Sequence, residues 1–238
     1  MKQFKLFSAM YIAASLLFLS SCGGSDEQKT ESTNNDSTVT KTETVTKPSD
    51  VLIVKFKVSN FAKWKTSYES RDSARLASGL HNYIIGRGVE DSNTVMVALK
   101  MDDVAKAKEF TADPKLKEAM QKGGVTGAPS FMFLNVQMMD SSTNATTTRI
   151  MVTHKVKDWD GWKKSFDSHK QVRLDAGLLD RAIGYEADDN HIVTVVFGVN
   201  DMAKAKAFMA SKDLKDKMAE AGVEGPPTIF MYNVVQKY

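Results

Sequence analysis

The chain has 238 residues, 26% of them charged, with a formal net charge of +3 and one cysteine. A single cysteine excludes an internal disulfide framework, and so small a charge excess supplies no basic face, so nucleic acid is not an expected partner. Two of the positive charges, Lys2 and Lys5, belong to the first segment, which leaves about +1 for the rest.

That first segment has the parts of a secretory signal. Lys2 and Lys5 form a positive n-region, and Leu6 to Leu19 is an apolar run shorter than the ~20 residues that a membrane-spanning helix needs. Residues 1–21 are therefore expected to be removed. The next residues, Leu19-Ser20-Ser21-Cys22, resemble the lipobox of bacterial lipoproteins. The resemblance implies acylation of Cys22, hence a lipid membrane as partner, and Gly23 in place of aspartate implies the outer membrane, on its periplasmic or its surface face. Acylation would also consume the chain's one thiol, excluding a thiolate metal site and a cysteine nucleophile. Residues 22–50 are rich in Ser, Thr, Asn, Asp and Lys, a composition that cannot bury enough apolar surface to offset its ordering entropy. They read as a disordered tether.

Beyond the tether the chain writes one pattern twice. Laying residues 51–136 over 149–234 at a constant offset of 98 needs no gap and gives 32 identities. Each copy opens on a β-branched apolar run, VLIVKFKV or IMVTHKV, read as a strand. Asn60 and Asp158 are placed to cap a helix that should run to Gly79 and Gly177. Two short strands follow, then a second helical region beginning at Asp102 or Asn200, with a new cap at Asp113-Pro114 or Ser211-Lys212. A last strand, SFMFLNV or TIFMYNV, closes the unit. The order β-α-β-β-α-β is ferredoxin-like. The first repeat is assigned to 51–137, a linker to 138–149 and the second repeat to 150–238.

In such a unit helices cover one face of the sheet, yet these strands are apolar on both faces: Val54, Phe56 and Val58 point one way, Val51 and Ile53 the other. A second apolar face needs a second cover. The strand with an inward His, followed by DWDGWKKSFDSH, RLDAG, DDNHIV and the run from Asp201 to Pro227, is similar to the dimeric α+β barrel superfamily, in which two ferredoxin-like chains pair their sheets. The resemblance covers both repeats. It implies an α+β fold in which the two repeats form a pseudo-two-fold, single-chain barrel, and a monomer, because the linker replaces the encounter of two chains by a millimolar-scale effective concentration. As to function it implies several classes, among them cofactor-free monooxygenases, haem-handling enzymes and proteins without known activity.

The two copies can be compared with one another. The four histidines, His81, His154, His169 and His191, stand opposite Leu179, Phe56, Arg71 and Asn93, so none recurs. No His-cluster metal spacing is present, and no metal is expected. His154 lies mid-strand. It reads either as a hydrogen-bonded core or cavity histidine, or as a general base or haem ligand confined to the second repeat. On the first helix Trp64, Tyr68 and Arg75 share a face, as do Trp162, Phe166 and Arg173. The arginine then either snorkels to the sheet edge or holds an anionic group in an aromatic-walled pocket. Asn135 and Asn233 recur on the last strand. Gly127 to Pro129 and Gly225 to Pro227 look like turns. Taken together, the residues support three functions: an envelope-anchored module binding a small apolar or anionic ligand without a cofactor, a monooxygenase-like or haem-handling enzyme, or a structural protein with a solid barrel.

Overall fold

The computed structural model describes residues 50–140 and 146–238. The expected signal peptide, Cys22 and the tether up to residue 49 lie outside the described residues. The first repeat comprises β1 (Asp50–Val58), α1 (Phe61–Glu69), α2 (Asp72–Ala77), β2 (Leu80–Gly88), β3 (Thr94–Met101), α3 (Val104–Ala112), α4 (Pro114–Lys122) and β4 (Val125–Met139). The second comprises β5 (Thr148–Val156), α5 (Trp159–Ser168), α6 (Lys170–Asp175), β6 (Leu178–Glu186), β7 (Asp189–Val199), α7 (Met202–Ala210), α8 (Lys212–Glu220) and β8 (Val223–Lys237).

The expected caps are in place. Asn60 Oδ1 accepts from Lys63 N at 2.9 Å and Asp158 Oδ2 from Gly161 N at 2.6 Å. Asp113 and Ser211 cap α4 and α8, and the caps of α3 and α7 are Asp103 and Asp201, one residue later than the sequence suggests. Three spans differ more. The first helix of each repeat is broken in two, because Ser70 Oγ donates to Ser67 O and Ser168 Oγ to Ser165 O, competing with the helical ladder just where it stops. The last strands run to 15 residues each rather than seven, so β4 continues through Gln137 to Met139. And β5 starts at Thr148, which takes Thr148 and Arg149 out of the expected linker and into the barrel.

The strands close in the order β1-β3-β2-β8-β5-β7-β6-β4. Within each repeat the four strands form the ferredoxin-like sheet. The extra length of β4 and β8 is what joins the two sheets: beyond its pairing with β1, β4 pairs with β6 from Leu134 to Met139, and β8 pairs with β2 in the same manner. Two apolar layers lie outside the barrel beneath the helices, one holding Leu52, Val54, Phe56 and Trp64, the other Ile150, Val156, Trp162 and Val195. A third lies inside the barrel, with Val51, Ile53, Met96, Met151 and Tyr232. The two-faced apolar pattern of β1 is thus explained by helices on one side and the opposing sheet on the other. Among the described residues no helix is long and apolar enough to cross a membrane.

Close approach at the junctions requires glycine. A Cβ at Gly184 would lie 2.6 Å from the Asn135 carbonyl oxygen, and one at Gly86 would lie 2.4 Å from the Tyr232 ring. Because the obstacle at 184 is backbone of the partner strand, Gly184→Ala should separate β4 from β6 and lower stability by about 1–3 kcal/mol. Urea denaturation checks this, and wild-type stability in the variant would contradict the closure.

Candidate functional site

A pocket lies between helices and sheet in each repeat, and the two differ. In the second repeat it measures about 130 Å³, with Trp162, Phe166, Phe197 and Phe208 among its walls and His154, Ser165, His169, Arg173 and Lys217 as its polar members. In the first it measures about 80 Å³ and Phe56 stands where His154 would be. Trp64, Tyr68 and Arg75 line the first pocket, and Trp162, Phe166, Arg173 and His154 the second, so each group of singled-out residues is brought together.

The expectation that the arginines hold a ligand anion does not survive the geometry. Arg173 donates from Nε and Nη2 to both oxygens of Asp180 at 2.9 and 2.7 Å, and from Nη1 to Phe166 O at 2.5 Å. Its fork is filled by the chain's own carboxylate. The guanidinium lies 3.5 Å from the centre of the Phe166 ring. Phe166 O already accepts from His169 N at 3.1 Å in the turn that ends α5, and Arg173 adds a second, charged donor to that helix-end carbonyl. The arginine therefore ties α5, α6 and β6 together and forms part of the pocket wall.

Arg75 plays the same part with other partners. It donates to Tyr68 O at 2.7 Å, Asn82 Oδ1 at 3.1 Å and Asp72 Oδ1 at 3.2 Å, and stacks on Tyr68 at 3.7 Å. The Tyr68 hydroxyl also donates to Asn82 Oδ1, at 2.5 Å, and burial pushes that hydroxyl's pKa upward. Asp180 and Asn82, seven residues after each arginine, are the partners that the sequence reading passed over. The exchange of Asn82 for Asp180, paired with Tyr68 for Phe166, was the available signal.

His154 is the residue that the structure singles out. It is 9% exposed, on β5, with its ring 5.4 Å from that of Trp162. Neither ring nitrogen has a hydrogen-bond partner among the described residues. Burial drives its pKa down to about 4, so the imidazole is neutral at pH 7 and offers one N–H donor and one bare acceptor. The hydrogen bond that the structural reading of this histidine called for is not made among the described residues.

Local backbone opens the sheet beside it. Between Thr153↔Thr228 and Lys155↔Glu224, β8 inserts Gly225, Pro226 and Pro227 opposite His154 alone. The prolines have no N–H to give the ladder, and Gly225 takes a φ of +69°. What reads as a turn before the last strand is a bulge within it, and Pro227 lines the pocket. The remaining candidates lie elsewhere. His81 and His191 are exposed and face Asp102 and Asp189. Asn135 and Asn233 sit where β4 and β8 cross to the other sheet, opposite Tyr185 and Arg87. Among the described residues no group of His, Cys, Asp or Glu could hold a metal ion.

Solved structures share this architecture. A candidate monooxygenase from Fusobacterium nucleatum superposes with a TM-score of 0.54 at 14% identity, covering 80% of this chain and 94% of its own. An anthrone oxidase-like protein gives 0.54 at 14% identity, over 80% and 93%, and a candidate chlorite dismutase 0.53 at 14%, over 79% and 95%. The fold is that of the dimeric α+β barrels. At this identity the likeness speaks for fold alone. No family model matches the sequence, and no curated protein matches it.

Proposed function

We propose that the chain is an envelope-anchored small-molecule-binding protein whose site is the pocket of the second repeat. Its ligand, on this reading, is a neutral single-ring molecule carrying a hydroxyl, a phenol or quinol in chemical class. The observation that carries the proposal is His154, a buried imidazole whose two nitrogens have no partner among the described residues, in a pocket walled mainly by aromatic and aliphatic side chains. A polar group in that position costs stability unless something bonds to it. A hydroxyl on the ligand supplies that bond, and the aromatic walls supply contact for the ring. Size sets the class: a cavity of ~150 Å³ accepts benzene, and this one is about 130 Å³. Anchoring through acylated Cys22 is supported by Leu19-Ser20-Ser21-Cys22, and one chain supplying both sheets favours a monomer.

The names of the fold neighbours suggest a second reading, turnover of the same molecule with His154 as base. An unpartnered acceptor in reach of a ligand hydroxyl favours it. Against it stands the imidazolium that would form, which has no acceptor among the described residues for its second N–H. Haem fits less well. A metal-bound imidazole almost always donates its other N–H to the protein, His154 does not, and the enclosed volume would admit a macrocycle only if the covering helices moved.

Titration with p-cresol and with toluene, followed by the fluorescence of Trp159 and Trp162, tests the proposal. Cresol should bind more tightly than toluene, and His154→Phe should weaken cresol roughly tenfold while sparing toluene. Equal affinity for the two ligands, or no effect of the substitution, would overturn it, and a visible spectrum developing with added haem that His154→Phe abolishes would favour the haem reading instead.

A further inference from the structure

The interior of the barrel is not filled at the end where β5 begins. A cavity of about 240 Å³ lies there, with Ile53, Leu134 and Val196 among its apolar walls and Arg149, Tyr83, Tyr232, Lys237 and the Arg181–Asp140 ion pair on its polar side. Arg149 is 3% exposed. Among the described residues all its hydrogen bonds leave from one nitrogen: Nη1 donates to Thr146 O at 2.6 Å, Thr146 Oγ1 at 3.0 Å and Thr148 O at 3.0 Å. Nε and Nη2 have no such partner, and no carboxylate of the described residues forms an ion pair with this guanidinium. The neighbouring arginine differs, since Arg181 pairs with Asp140 at 2.6 Å.

A buried cation without a counter-ion is a strongly unfavourable arrangement, and arginine does not escape it by losing its proton. Burial first, and Arg181 second, push its pKa down, with Tyr232, Tyr83 and Asp140 acting less strongly in the other direction. The Tyr232 hydroxyl also lies beside the cavity without a hydrogen bond among the described residues, and burial holds it protonated, hence a donor. Room for the guanidinium comes from Gly198, where a Cβ would come within 3.4 Å of Nη1 and where the first repeat has Lys100. Arg149 itself stands opposite Val51, so the feature belongs to one half of the barrel.

We propose that this cavity is a second binding site, separate from the helix-side pocket, for a small organic carboxylate whose charged end meets Nε and Nη2 of Arg149 and whose apolar tail lies in the barrel. Two adjacent guanidinium N–H groups match the two oxygens of a carboxylate. If a ring of six carbons occupies ~150 Å³, the space suits a ligand of roughly eight to ten non-hydrogen atoms.

The test is calorimetric titration of the full chain with hexanoate and with hexanamide, its uncharged analogue. Hexanoate should bind, hexanamide should bind at least roughly tenfold more weakly, and Arg149→Gln should weaken hexanoate roughly tenfold to a hundredfold. Absence of hexanoate binding at millimolar concentration, equal binding of hexanamide, or undiminished binding to Arg149→Gln would overturn the proposal. Should Arg149→Gln fail to fold by circular dichroism, Ala98→Leu decides instead, because it fills the cavity and leaves the arginine in place. Loss of hexanoate binding in that variant supports the site and retained binding refutes it.

Discussion

Asp180→Ala should lower the unfolding free energy by about 3–5 kcal/mol, the range for removing one partner of a buried ion pair. The reason is the residue left behind. Arg173 has a side chain 5% exposed and Asp180 one 12% exposed, and two charged hydrogen bonds join them. Without the carboxylate the guanidinium stays buried against Phe166 with one carbonyl to serve it. The first repeat provides the control. There Arg75 meets neutral Asn82, and its ion-pair partner Asp72 has a side chain 46% exposed, so the charge is shared with solvent. Asn82→Ala should accordingly cost less, about 1–2 kcal/mol, and part of that through the lost Tyr68 bond. Urea denaturation of both variants measures the difference, and equal costs would show that the fork is not the tie between α5, α6 and β6 that its geometry indicates.

Stability should also fall on acidification through the titration of His154. Its folded pKa is about 4, against an ordinary value of 6.5. Above pH 6.5 the imidazole is neutral in both states and the fold keeps its full stability. Between 6.5 and 4 the unfolded chain binds the proton and the folded chain does not, so stability drops with pH until the folded pKa is reached. A shift of that size corresponds to about 3 kcal/mol in all. His154→Phe, which writes the first repeat's residue into the second, should remove this component and raise stability at pH 7 by about 1–2 kcal/mol, since an unpartnered polar group is replaced by an apolar ring. His169, the pocket's other imidazole, is common to both proteins and cancels in the difference. Parallel stability curves for wild type and variant from pH 7 to 4 would contradict the burial of an unpartnered imidazole.

Much of this architecture is legible in the sequence because it is local. Asn60, Asp113, Asp158 and Ser211 announce helix starts by side chains that bond three or fewer residues away, and the offset of 98 exposes the duplication without any structure. The two-faced strands foretell a sheet covered twice. What escapes depends on contacts distant in sequence. The Ser70 and Ser168 breaks carry no Gly or Pro to mark them. The last residues of β4 look like linker because the strand they pair with, β6, lies some 45 residues further on. Arg149 was assigned to the linker for that reason, and its burial in the barrel was hidden with it. At the candidate site the aromatic stripe and the asymmetric His154 were both visible. The sequence leaves the arginines open between a sheet-edge and an anion-holding role, because a guanidinium looks the same in both until the partner, Asp180, is placed.

Crystals of the protein soaked with 4-bromophenol, with bromine located by anomalous scattering, distinguish a second repeat that holds a hydroxylated ring on His154 from a first that does not. One strong peak is expected within the pocket bounded by Trp162 and Phe208, with the phenol oxygen at hydrogen-bond distance from a ring nitrogen of His154. A peak in the first repeat's pocket beside Phe56, or bromophenol in the second with its oxygen turned away from His154, would contradict it.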